Sequence, residues 1–320
     1  MTDLTAPMYV NEEAARAHLE AIRWPDGPAC PHCGSVDRAT KLEGDSTRPG
    51  VWKCREPECR KPFSVTVGTL FERSHIPLNK WLLAVHLLCA SKKGISAHQL
   101  HRMLDVQYRT AWFMAHRIRE AMRPLSVKDG GGPLGGKNKV VEADETYVGG
   151  KEANKHASKR RHRGRGAVGK EAVFALVERR GRVMSHHVPA VSAKTLRPIL
   201  VRHASRKSYL MTDDSPIYPG IGDEFAGHGS VNHSQEEYVR GVFWHTNTVE
   251  NYFSILKRGI TGVYHHVSQR HLRRYLAEFD FRYNNRKAMG IEDDGRALRA
   301  LKGIGGKRLT YRRTNMRPEA

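Results

Sequence analysis

Val140-Val141-Glu142-Ala143-Asp144-Glu145-Thr146-Tyr147-Val148-Gly149-Gly150 reads as a β-strand that carries carboxylates where a strand has least use for them. Valine, threonine and tyrosine suit a pleated, half-buried surface and aspartate does not. Three carboxylates within four positions also repel one another. Glu142, Asp144 and Glu145 therefore need either a cation to hold or Lys and Arg side chains to pair with. A divalent metal ion is the natural cation.

Downstream, residues 172–178 and 183–188 alternate around a turn at Arg180-Gly181 and read as an antiparallel hairpin. Ser192 caps a helix with Leu196, Ile199, Leu200 and Val201 on one side. Tyr209-Leu210-Met211-Thr212 is a short strand that ends at Asp213-Asp214, and Ser215-Pro216 reads as a helix start. Asp213 thus stands at a strand's C-terminal end, where mixed α/β sheets open a cleft; Asp214 reads as a turn residue. A short strand near Gly229-Ser230-Val231-Asn232 precedes His245-Thr246-Asn247-Thr248-Val249-Glu250-Asn251-Tyr252-Phe253-Ser254-Ile255-Leu256-Lys257-Arg258-Gly259, a helix with Val249, Phe253, Leu256 and Ile260 on one stripe. Asn247 can cap it and Glu250 close a capping box. The alternative makes Glu250 a metal ligand and Lys257 a nucleic-acid contact.

Three strands, helix, strand, helix, strand, helix is the order of a ribonuclease H-like mixed sheet. Asp144 on the first strand, Asp213 at the end of the fourth and Glu250 on the later helix can bind two Mg2+ ions ~4 Å apart, as two-metal phosphodiester chemistry requires. A last helix capped by Ser268 carries Leu272, Tyr275, Leu276, Phe279 and Tyr283, with Arg270, Arg273, Arg274, Arg282 and Arg286 opposite as phosphate contacts.

Upstream, Asn11 caps a short helix that begins Glu12-Glu13. Cys30-Pro31-His32-Cys33-Gly34 followed by Cys54 and Cys59 has the spacing of a zinc ribbon, two knuckles closing a tetrahedron around one Zn2+. Residues 51–53 lead into the second knuckle and 63–67 out of it as strands. Cys89 falls in an apolar run and reads as core. From Pro77 to Arg123 the pattern is helical, with Ser96 as a cap and a break at Asp105-Val106. It resembles a helix-turn-helix, with Arg109 and Thr110 facing a DNA groove and Arg117 and Arg119 adding charge. Around Gly130-Gly131-Gly132-Pro133 the chain reads as a linker. The run Lys159-Arg160-Arg161-His162-Arg163-Gly164-Arg165-Gly166 reads as a basic loop that neutralises phosphates without reading sequence. These boundaries give a helix and zinc ribbon (1–75), a helix-turn-helix-like DNA-binding region (76–125), a Gly-rich linker (126–139), a ribonuclease H-like domain (140–290) and a basic tail (291–320).

The 320 residues hold 54 Lys and Arg against 33 Asp and Glu, a formal net charge of +21. That excess points to a polyanionic partner, of which nucleic acid is the commonest. No apolar run is long enough to span a bilayer, and Met1 to Val10 lacks the features of a signal peptide. This is the profile of a cytoplasmic protein that acts on the nucleoid, not on a membrane.

The sequence resembles bacterial insertion-sequence transposases that join an N-terminal zinc ribbon to a DDE catalytic domain. The carrying stretches are Cys30-Pro31-His32-Cys33-Gly34, Phe63-Ser64-Val65-Thr66-Val67-Gly68-Thr69, Thr110-Ala111-Trp112, Asp144-Glu145-Thr146-Tyr147-Val148-Gly149-Gly150-Lys151, Asn232-His233-Ser234, His245-Thr246-Asn247-Thr248-Val249-Glu250, Leu256-Lys257-Arg258-Gly259 and Phe281-Arg282-Tyr283-Asn284. They run through nearly the whole chain. The resemblance implies Asp144, Asp213 and Glu250 as the acidic triad for Mg2+ or Mn2+, with Lys257 one face along. Some relatives place asparagine in the third role, which makes Asn247 the alternative ligand. It implies cleavage at transposon ends, strand transfer into target DNA, and a homo-oligomer on double-stranded DNA, with Lys257, Arg258 and the arginine loop on phosphates. A DNA-binding regulator and a nuclease that cuts without joining are the rival readings. The wide second knuckle, Arg55-Glu56-Pro57-Glu58, departs from the family pattern.

Overall fold

The computed structural model describes residues 3–150, 154–160, 167–231 and 243–310. The chain divides into two compact units. One is built from residues up to Met122 together with those from Glu292 onward, the other from Arg123–Ile291.

In the first unit a single turn, α1 (Pro7–Val10), precedes α2 (Glu12–Arg23), whose cap Asn11 accepts the Ala14 amide at 2.9 Å. Trp24, just past α2, meets Trp52 and Phe63 edge-on. Those rings belong to a three-stranded antiparallel sheet of β1 (Ala39–Lys41), β2 (Val51–Cys54) and β3 (Pro62–Ser64). Next comes α3 (Leu78–Ala90), apolar nearly all round, which buries Trp81, Leu82, Val85, Leu88 and Cys89 as a central helix does. Ser96 caps α4 (Ala97–Leu104) through the Gln99 amide, and Asp105 in left-handed backbone ends it. Then α5 (Tyr108–Met122) begins with Tyr108 and Arg109 exposed. Arg119 is buried and is no surface cation, whereas the Arg117 guanidinium lies over the Phe113 ring at 4.7 Å.

The second unit is built on five strands: β4 (Val140–Val148), β5 (Glu171–Glu178), β6 (Val183–Val188), β7 (Tyr209–Asp213) and β8 (Gly227–Val231). Their order is β6-β5-β4-β7-β8. The first three pair antiparallel; β7 runs parallel to β4, and β8 to β7. This is the ribonuclease H-like mixed sheet expected from the order of elements. Two helices, α6 (Ala193–His203) and the short α7 (Pro219–Gly222), lie in sequence between these strands, and α8 (Asn247–Gly259) and α9 (Gln269–Asn284) follow them. Alternation sends Val141, Ala143, Phe174, Leu176 and Leu210 to one face, where Leu196, Leu200, Tyr218 and Ile221 cover them. Val148, Val173, Ala175 and Val177 face the other way, onto Val249, Phe253 and Leu256 of α8 and Leu272, Leu276 and Phe279 of α9.

Four expectations change. The helix start at Ser215-Pro216 is a turn, because Asp213 Oδ1 accepts the Ser215 amide at 3.3 Å; the short helix begins at Pro219 instead. The glycine-rich stretch is strapped down rather than free. Arg182 grips the Gly130, Gly132 and Pro133 carbonyls, Leu134 is fully buried, and the Leu134 amide reaches the His203 carbonyl at 2.7 Å. Gly135 has φ +82° and lies so close to Ser208 that a Cβ would sit 2.1 Å from its hydroxyl. The expected phosphate contacts Arg282 and Arg286 are turned inward. Arg282 is buried against Glu278, and Arg286 donates to the Gly181 and Tyr283 carbonyls. Finally, the basic tail opens with a helix, α10 (Asp293–Lys302), which packs on α3 and buries Ala297, Ala300 and Leu301. The Arg296 guanidinium reaches the Cys89 carbonyl at 2.7 Å, so this segment belongs to the first unit.

Candidate metal-dependent active site

Glu142 on β4 pairs in parallel register with Met211 on β7. Two residues further along each strand stand Asp144 and Asp213, so the aspartates come level on neighbouring strands and point to one face of the sheet. That is the face covered by α8, where Glu250 lies exposed in the first turn and accepts the Thr246 hydroxyl at 3.1 Å. Asp144 Oδ1 accepts the Glu145 amide at 2.7 Å. Burial, reinforced by the negative charges of Asp213, Glu145 and Glu250, holds the Asp144 carboxyl up to about 8. Mutually repelling, partly desolvated carboxylates of this kind are what a hard divalent cation relieves, and an all-oxygen donor set suits Mg2+ or Mn2+.

The three carboxylates of the strand have separate surroundings. Glu145 points to the opposite face, where it accepts the Tyr218 hydroxyl at 2.6 Å, and burial raises its carboxyl as well. Glu142 shares the face of Asp144 but is fully buried. Its Oε2 accepts the Thr248 and Val249 amides at 2.7 and 3.0 Å, and its Oε1 accepts the Thr248 hydroxyl at 2.8 Å and Arg179 Nε at 2.6 Å. It therefore takes the arginine-pairing alternative, with both oxygens met by protein donors. It also replaces the expected capping box. Helix α8 starts at Asn247, so Asn247 is not its cap; that exposed residue stands near Glu250, its amide 3.4 Å from His245 Nδ1. Neither Arg179 nor Tyr218 stood out in the sequence. Arg179 showed only as the end of a strand beside a turn, and Tyr218 as an aromatic after a proline.

On α8, Lys257 and Arg258 are exposed in the last turn, and Arg258 donates to the Ser254 hydroxyl at 2.6 Å. Arg160 is exposed, with its Nε on the Lys155 carbonyl at 2.9 Å. Arg161, Arg163 and Arg165 lie outside the described residues. In the first unit, Arg109 is exposed and Thr110 half-buried at the start of α5.

The second candidate centre is also in the first unit. The sulfurs of Cys30, Cys33, Cys54 and Cys59 all lie within 4.8 Å of one another. Cys30 to Cys59 is 3.8 Å and Cys33 to Cys54 is 3.6 Å; four thiolates at ~2.3 Å from a tetrahedral zinc are ~3.8 Å apart. The wide knuckle closes by an ordinary turn, with the Cys59 amide on the Glu56 carbonyl at 3.0 Å. His32 is exposed, its Nε2 3.4 Å from the Pro62 carbonyl.

A sequence profile of the ISXO2-like transposase domain matches residues 133–284, and one of the transposase zinc-ribbon domain matches residues 10–62. Over 289 residues the chain is 30% identical to "Uncharacterized protein in transposable element ISH50" of Halobacterium salinarum, covering 86% of this chain and 91% of the relative. The chain belongs to the ISXO2-like transposase family. The transposase domain spans the five-stranded sheet with α8 and α9, and the zinc-ribbon domain covers Cys30, Cys33, Cys54 and Cys59. Among solved structures, this transposase-family chain is similar to one in the crystal structure of a pre-cleavage Mos1 transpososome, at 12% identity over 64% of this chain and 70% of the other, with a TM-score of 0.28.

Proposed function

We propose that this transposase cuts DNA at the ends of an insertion sequence and joins the freed 3′ hydroxyl to target DNA. One observation carries the reading: Asp144 and Asp213 come level on adjacent parallel strands, on the sheet face covered by the helix of Glu250. Asp144, Asp213 and Glu250 would hold two Mg2+ or Mn2+ ions, with Asn247 the alternative to Glu250. Bound metal would supply an activated water and neutralise the charge that develops on the leaving oxygen. Asp144, whose carboxyl burial raises, would release its proton to solvent on taking a metal ion. Lys257, Arg258 and the arginine loop grip phosphates around the scissile bond. In the first unit the cysteine cluster holds one structural zinc, and α4 and α5 read the terminal repeats, with Arg109 and Thr110 in the groove. Paired ends call for at least a dimer on DNA. No helix among the described residues is long and apolar enough to cross a membrane, and the DNA substrate sets the site of action in the cytoplasm, at the nucleoid.

Purified protein with Mg2+ and a duplex that carries the element's own end tests the reading. Metal-dependent nicking and joining, abolished in Asp144→Asn and Glu250→Gln, is the expected result. Specific end binding with no chemistry would leave a regulator. Cutting without joining would leave a nuclease. Activity that survives in Glu250→Gln but is lost in Asn247→Ala would move the third ligand to Asn247.

A further inference from the structure

The surroundings of Glu142 account for both of its oxygens. A carboxylate offers about four lone-pair sites, and here four donors fill them: the Thr248 and Val249 amides, the Thr248 hydroxyl and Arg179 Nε. His245 Nδ1 stands a further 3.5 Å from Oε1. Arg179 is spread just as fully. Its remaining nitrogens donate to the Phe243 and His245 carbonyls, each at 2.8 Å, so the guanidinium holds the segment that enters α8 while Glu142 holds the first turn. The positive end of the helix and the arginine together balance a charge that would otherwise be costly to bury. The first turn of a helix has no internal acceptors for its amides and depends on such a cap for order. Glu142 lies on β4 two positions before Asp144, and Arg179 directly follows β5, which pairs with β4.

We propose that Glu142 and Arg179 are positioning residues for Glu250: they pin the start of α8 to the strand of Asp144 and so set where the third carboxylate meets the two aspartates. The inference rests on the acidic-site reading above. Magnesium-type ions tolerate little departure from octahedral geometry at ~2.1 Å, so a carboxylate borne on a helix end needs that end fixed.

Mn2+ binding to the full chain without DNA, measured by calorimetry below every thermal transition, separates the alternatives. Glu142→Gln keeps the side chain's volume but leaves one oxygen and turns an NH2 toward Arg179. Arg179→Lys keeps the charge and loses the fork that reaches two carbonyls. Native circular dichroism and one zinc per chain identify folded variants. Both are expected to bind Mn2+ about 10- to 100-fold more weakly than wild type, with faster amide exchange at Thr248 and Val249. Wild-type Mn2+ affinity in either folded variant would overturn the proposal even if its Tm fell, since a merely structural tie lowers Tm alone. If Glu142→Gln does not fold, Arg179→Lys and Thr248→Val, which removes a single hydrogen bond to Glu142, decide in its place. A wild-type chain that binds no Mn2+, or an Asp144→Asn variant that binds it as wild type does, would remove the acidic-site reading and this proposal with it.

Discussion

Asp280 joins three elements through one side chain. It accepts the Ser185 amide at 2.9 Å, the Ser185 hydroxyl at 2.8 Å and the Tyr252 hydroxyl at 2.6 Å, which ties α9 to β6 and α8. Burial outweighs these donors and lifts its carboxyl from 3.8 to about 7. Between those values the folded chain keeps a proton that the unfolded chain has released, so this group's contribution to stability falls as pH rises through the window. Thermal unfolding followed from pH 4 to 8 should show that loss in the wild type and a shallower one in Asp280→Asn; parallel pH profiles would exclude Asp280 as the source. Tyr218 poses a different residue-scale question. Its hydroxyl serves Glu145 on the face away from Asp144. Tyr218→Phe should cost about 1–3 kcal/mol, the usual penalty for a buried acceptor left short, read from the urea midpoint. DNA cleavage should persist in it; a folded variant without cleavage would give Glu145 a chemical part.

At the scale of the element, what was legible is what is local. Asn11, Ser96 and Ser192 cap their own helices within three residues, and the alternation of β4 and β5 is written along each strand. Asp213 could be placed because a strand visibly ends at it. The start of α8 is not legible for the opposite reason: its cap, Glu142, lies 106 residues away from Thr248, and spacing within the helix offers a plausible local substitute in Asn247. Arg282 is hidden from the sequence in the same way. Charge on an amphipathic helix predicts a wet face, but Glu278 one turn earlier neutralises it in the core. The cysteine cluster is where spacing alone sufficed to bring side chains together, because four sulfurs set to meet at one point leave little freedom. Chelation, or Cys54→Ser, should remove one equivalent of zinc and melt the three-stranded sheet. In the same samples the signals of the five-stranded sheet, followed by amide exchange, should stay protected.

For the molecule as a whole, the net charge of +21 makes DNA affinity a function of salt. Binding of an end duplex should weaken log-linearly with salt concentration. Neutralising Arg160, Arg161, Arg163 and Arg165 together should reduce that slope by up to ~4, about 0.9 for each phosphate that no longer meets a cation. An unchanged slope would move the loop away from the backbone. The path of the chain carries a second consequence. Residues on both sides of the five-stranded unit in sequence build the first unit, and α10, which follows that unit, covers α3. During synthesis the acidic sheet can therefore fold before the ribosome has delivered the piece that completes its neighbour. A reading frame broken after Ile291 would still encode Asp144, Asp213 and Glu250, yet leave the apolar surface of α3 without its lid. Such a product should aggregate or be degraded, and a stop codon at 292 in an expression strain, scored by soluble yield, would reveal it. The segment from Glu292 onward then acts as a check on whether a product that carries the acidic sheet persists at all.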